Sequence, residues 1–187
     1  MTFRRLIATA ATLLAATAAH AQAPTPAELD RALAGRWAGH LEYRDYQNDR
    51  RYRLPLQAAI TVAEDGATLT RQSRFDDGPV KGTVLITTVS LYDAAGTRVT
   101  AASFRRGLGV ETVTETARVV EHRGPTQWAA EWLRRGVDGG QASDIRVTVT
   151  RRGDELRAVK EVREQRPEGS AAAPWVFRNE TVLQRQP

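Results

Sequence analysis

Gly35-Arg36-Trp37-Ala38-Gly39-His40-Leu41-Glu42-Tyr43-Arg44 changes the period of the chain. Trp37, Gly39, Leu41 and Tyr43 fall on one side of an extended backbone, and Ala38, His40, Glu42 and Arg44 on the other. That is a strand with one buried face. Just upstream the pattern is different. Thr25-Pro26-Ala27-Glu28 reads as a helix start: a capping threonine, proline at the first helical position, and a glutamate three residues after the cap. Leu29 and Leu33 give one apolar stripe, and Gly35 supplies a stop. The spacing predicts a helix over 26–34 and a strand immediately after it.

Downstream the alternation repeats. Leu54, Leu56, Ala58, Ile60 and Val62 mark a second strand, closed by Glu64-Asp65-Gly66. Residues 68–75 return, Asp76-Asp77-Gly78-Pro79 turns the chain, and 80–92 runs out to Asp93-Ala94-Ala95-Gly96. Residues 97–104, 110–121, 143–151 and 175–184 read the same way. Arg152-Gly153-Asp154 is a hairpin tip, because Gly-Asp is ordinary turn chemistry. Two segments carry helical spacing: 127–135, with Trp128 and Trp132, and 155–165, with Leu156, Val159 and Val162. Both lie at hairpin distance between strands, so both are read as strands, since tertiary context overrides weak propensity. The proline- and alanine-rich stretch 166–174 is expected to be a mobile loop. The count is about ten strands with turns about every 8–12 residues, the mark of an antiparallel barrel or sandwich. Closure removes the exposed edges of such a sheet. The fold class is therefore all-β, an up-and-down meander barrel with a short N-terminal helix; a sandwich is the alternative.

The first 21 residues have a separate character. Met1-Thr2-Phe3-Arg4-Arg5 is basic, Leu6 to Ala19 is uncharged and apolar, and Ala19-His20-Ala21 is a small-x-small cleavage pattern. The chain therefore divides into a signal peptide (1–21), a linker and capping helix (22–35), and a barrel (36–187). The expected location is the periplasm or the extracellular space, with no stable membrane span once the leader is cut. Cysteine is absent, which excludes disulfides, thiolate metal sites and a lipid-modified N-terminus. The net charge is +5, and the arginines are interspersed with carboxylates, as in Arg157, Lys160, Glu161, Arg163 and Glu164. Such a surface is a solvated face rather than the one-signed patch that nucleic acid needs.

The helix followed by Gly35-x-Trp37 resembles the entrance of lipocalin-like (calycin) barrels. Trp37-Ala38-Gly39-His40-Leu41-Glu42-Tyr43-Arg44-Asp45-Tyr46, Asp76-Asp77-Gly78-Pro79 and Phe177-Arg178-Asn179-Glu180 together resemble a set of secreted bacterial proteins to which no activity is attached. The calycin resemblance implies that Trp37 plugs a closed end beneath the helix. It also implies that an arginine from late in the barrel, Arg178 or Arg185, packs across the indole.

No constellation specifies a reaction. His40 is out of phase with Trp37 and His122 sits at a strand end, whereas a haem or zinc site needs inward, clustered ligands. No cofactor and no metal are called for. No serine occupies a Gly-x-Ser-x-Gly turn, and Gly107-Leu108-Gly109 lacks the third glycine and the helix of a phosphate loop. Asp76 and Asp77 fit turn roles. The cluster Tyr43-Arg44-Asp45-Tyr46 has two readings: a mouth that orients an anionic ligand, or a strand end with a surface ion pair. In Arg178-Asn179-Glu180, alternation puts Arg178 with Glu180 and Asn179 with Phe177, and either face suits the inside. The function read from this is binding of a small amphipathic molecule within the barrel. Trp37 would be the floor and Tyr43 a wall, with Arg44 and Arg178 meeting an anionic end. The alternatives are an envelope interaction module with a filled barrel and, more weakly, a hydrolase or isomerase.

Overall fold

A computed structural model describes residues 23–45 and 50–187. The expected signal peptide, its expected cleavage point and Tyr46 lie outside the described residues. Among the described residues two helices and ten strands follow in order. Helix α1 is Pro26–Arg31 and α2 is Gly78–Lys81. The strands are β1 Gly35–Asp45, β2 Arg50–Val62, β3 Thr68–Asp76, β4 Thr83–Tyr92, β5 Arg98–Arg105, β6 Glu111–Gly124, β7 Gln127–Asp138, β8 Gln141–Arg152, β9 Glu155–Glu164 and β10 Val176–Arg185. Each pairs antiparallel with its sequence neighbours, and β1 pairs with β10, so the meander closes into a barrel. Among the described residues no helix is long and apolar enough to cross a membrane.

The two ambiguous segments are strands β7 and β9. Each pairs along its whole length with β8, whose Ile145, Val147 and Val149 point inward. Burial of that shared face decides the structure over local spacing. The helix is shorter than expected: α1 ends at Arg31, and Ala32 is its C-cap. Strand β4 starts at Thr83 rather than residue 80, because Gly78–Lys81 forms the short α2.

Alternation sorts the side chains. The inner face carries Trp37, Ile60, Leu69, Trp132, Val149, Leu156 and Leu183, all buried. The outer face carries carboxylates crossed by arginines from neighbouring strands: Glu42 with Arg51 and Arg53, Glu131 with Arg118, Glu161 with Arg146, Asp144 with Arg163, Glu180 with Arg157. The mixed-charge surface read from composition is thus a set of cross-strand pairs. A bulge between Phe177 and Asn179 interrupts β10. It overturns the expectation that Arg178 and Glu180 share a face, because the extra residue shifts the phase. Glu180 stays outside with Arg157, while Arg178 pairs with Asp138 at the end of β7.

Stretch 166–174 is tied down at its far end. Ala173 is buried, and the Trp175 ring carries the guanidinium groups of Arg146 and Arg163 at 4.3 and 4.7 Å.

Candidate functional site in the barrel interior

Helix α1 covers one end of the barrel, and its sequence explains how. Thr25 accepts from the Glu28 N–H at 3.2 Å, and Glu28 accepts from the Thr25 N–H at 2.7 Å. This reciprocal cap starts the helix where Pro26 fixes φ. Ala27 N–H then donates to Gly96 O at the β4–β5 turn, and Arg31 donates to Gly66 O at the β2–β3 turn. At the other end of the helix, Arg151 donates to Ala32 O at 3.0 Å and Arg185 to Ala34 O at 2.8 Å. Cations thereby satisfy the carbonyls that a helix end leaves open.

Below this cap lies Trp37, 1 % exposed, its indole N–H donating to Leu33 O at 2.8 Å. Arg185 and Arg151 approach its ring at 5.5 and 5.8 Å. Burial, and then the charge of Arg185, lower the pKa of Arg151. The arginine across the tryptophan is therefore Arg185, joined by Arg151. Arg178 is at the far end of β10, with Asp138, so it does not cover Trp37.

Between the cap and the middle of the barrel is a cavity of about 260 Å³. Ile60, Leu69, Val99, Ala101, Val113, Val147 and Val149 supply apolar walls. The polar lining is Asp30, Arg71, Thr88, Ser90, Tyr92, Ser103, Glu115 and Trp132. It is organised by hydrogen bonds. Trp132 Nε1–H donates to the Tyr92 oxygen at 3.0 Å, and Tyr92 donates to Asp30 Oδ2 at 3.0 Å. Asp30 also meets Arg71 at 3.3 Å. Burial, and then the Asp30 charge, push the Tyr92 phenol far above its ordinary value, so it stays a neutral donor. Thr88 and Ser103 share a hydrogen bond of 2.9 Å.

Glu115 faces this space with Arg134 beside it at 3.4 Å. Burial raises its pKa, with Asp30 adding to the rise and Arg134 opposing it. Nearer the far end, Lys160 donates to Asp138 Oδ1 at 2.9 Å, and Arg178 pairs with Oδ2. Burial works against the Asp138 charge, but the hydrogen bond and charge of Lys160, with Arg178, outweigh it. The carboxyl is held below its ordinary value.

The four residues singled out from sequence do not converge. Trp37 is under the helix and does not border the cavity. Tyr43 lies at the far end, stacked on Tyr52 at 5.7 Å between centroids and across from Asn179, next to Arg178. These two positions are brought near each other. Arg44 shares the outward phase of Glu42 along β1. His40, as expected, alternates to the outer face, across from Pro55 and Val182. Sequence reasoning missed Asp30, Arg71, Tyr92, Glu115 and Trp132. One signal existed: Glu115 occupies the inward phase of Val113, Ala117 and Val119, where a charge is out of place.

No family model matches the chain, and no curated protein matches it in sequence. Among solved structures it is similar to the crystal structure of Rv2717c from M. tuberculosis, with a TM-score of 0.56 and 17 % identity. The match covers 83 % of this chain and 94 % of that one. Likeness at that identity establishes the fold: a closed antiparallel barrel of ten strands, shared over nearly the whole of the other protein.

Proposed function

We propose that the barrel binds one compact organic molecule, apolar in body and carrying hydrogen-bonding groups, and that it does so after export, as lipocalin-like proteins do. The observation that carries this is the cavity of about 260 Å³ with apolar walls and a fixed polar array. Its size is just under the range of about 300–1,000 Å³ usual for small-molecule sites. By volume it holds roughly nine waters at about 30 Å³ each, which favours a ring-sized ligand over a long chain. Arg71 and Ser90 offer donors, and Glu115 changes from acceptor to donor on protonation. Tyr43 and Arg178, with Lys160, stand on the far side as an entrance that favours an anionic group.

A screen of small aromatic and alicyclic acids and alcohols tests this, read by tryptophan fluorescence and melting temperature. Trp132 borders the cavity and reports occupancy. The expected result is saturable one-to-one binding that Ala101→Phe abolishes while the far-ultraviolet spectrum stays that of a β protein. Binding that survives Ala101→Phe places the ligand elsewhere. No binding across the screen favours the interaction module.

A further inference from the structure

The two ends of the barrel differ in the chemistry of their turns. At the helix end the turns are Ala63-Glu64-Asp65-Gly66-Ala67, Asp93-Ala94-Ala95-Gly96-Thr97, Pro125-Thr126 and Gly153-Asp154, and none presents a large apolar side chain. At the other end three successive hairpins do. Val80, in α2 between β3 and β4, is 96 % exposed. Leu108 and Val110, between β5 and β6, and Val137, at the end of β7, are each more than half exposed. The outer wall continues the patch, because Leu85 on β4 and Phe104 on β5 are exposed close to the same hairpins. Isolated exposed hydrophobics are ordinary, but a cluster at the tips of consecutive loops marks a contact surface.

Charge selects the partner. Arg105 and Arg106 lead into Leu108, are exposed, and enter no ion pair among the described residues. Arg51, Arg118 and Arg146 on the outer strands are by contrast matched by carboxylates. The one carboxylate of the stretch 105–111, Glu111, begins β6. Gly107, with φ +79°, turns the chain between the arginines and Leu108. Apolar tips to enter the acyl boundary, with cations at headgroup depth, match an anionic bilayer surface.

We propose that the end of the barrel opposite α1 docks on anionic lipid, dipping the tips at Val80, Leu108 and Val137 while Arg105 and Arg106 meet lipid phosphates. The docking stands on the rim residues and is independent of what occupies the cavity.

Flotation with vesicles tests it, using the chain from residue 22 onward, which contains every strand and the capping helix. Wild type is expected to float with phosphatidylglycerol–phosphatidylcholine vesicles at low salt. Binding is expected to fall at least several-fold with phosphatidylcholine alone or at high salt. Leu108→Asp and Val137→Asp should each abolish flotation, and Arg105→Gln with Arg106→Gln should reduce it several-fold; circular dichroism verifies that each variant keeps its fold. Absence of wild-type flotation overturns the proposal, as does flotation unchanged in Leu108→Asp. Wild-type dimers that Leu108→Asp converts to monomers, without lipid binding, would assign the rim to a second copy of the chain and also overturn it.

Discussion

Trp37 is fixed by three separate contacts: the Leu33 carbonyl on its N–H, the Arg185 and Arg151 guanidiniums on its ring, and burial beneath α1. Removing the indole leaves a cavity that the barrel wall cannot collapse into, so Trp37→Ala should cost roughly 3–5 kcal/mol. Arg185→Ala removes a ring contact worth about 0.5–2 kcal/mol and leaves Ala34 O without its donor. The two losses overlap, so the double variant should be less destabilised than the sum, which urea melts of all four proteins will measure. Two residues along β1, Gly39 faces a different constraint. A Cβ there would lie 2.0 Å from Val182 O and 2.9 Å from the Leu183 Cα, both backbone of β10. No rotamer relieves a backbone clash, so Gly39→Ala must push the β1–β10 ladder apart. The expected cost is about 1–3 kcal/mol, and a wild-type melting midpoint would show that this seam yields freely.

Helix α1 is too short to be stable alone. Its six residues hold because the Thr25–Glu28 box starts it and the turns at Gly66 and Gly96 receive it. Thr25→Ala should cost about 0.5–2 kcal/mol and loosen the cap before the barrel. Hydrogen exchange of the Ala27 and Leu29 amides should therefore quicken while that of the β8 amides does not. Equal quickening throughout would mean that cap and barrel unfold as one unit. The β10 bulge is the other element with a local cause and a distant effect. By inserting one residue it turns Arg178 toward Asp138 and keeps Glu180 outside. An unbulged strand would leave Asp138 with Lys160 only.

At the scale of the whole barrel, the interior holds charged groups, and stability should depend on pH in a defined sense. Asp138 has a lowered pKa when folded, so its contribution is present above the ordinary aspartate range and is lost as pH falls through the lowered value. Asp138→Asn should then destabilise by roughly 1–3 kcal/mol at neutral pH, leaving Lys160 and Arg178 without their carboxylate. The gap from wild type should close in acid. A gap independent of pH would show that shape rather than charge is at stake. Glu115 acts with the opposite sign. Its raised pKa means that the folded state holds a proton more tightly than the unfolded one, so its carboxyl loses stability for the barrel as pH rises through the ordinary glutamate range toward the raised value.

Period-two alternation from Trp37 onward, punctuated by Gly-, Asp- and Pro-bearing turns, determines the antiparallel meander, because buried and exposed faces must alternate along each strand. The Thr25–Glu28 box and the stop near Gly35 determine the helix for the same local reason. Closure is also foreshadowed there, since ten strands in a row leave two edges to satisfy. Tertiary structure alone decided the rest. Arg178 and Arg185 look alike in the last strand, and only the register with β1 sets Arg185 on Trp37 and Arg178 at the opposite end. The β10 bulge has no sequence mark, yet it shifts the phase of everything before it. The cavity joins Asp30 from the helix, Arg71 from β3, Tyr92 from β4, Glu115 from β6 and Trp132 from β7. These residues are scattered over a hundred positions and are neighbours only because the sheet closes. Sequence periodicity reports which way each side chain faces; it carries no information about which side chains meet across the barrel.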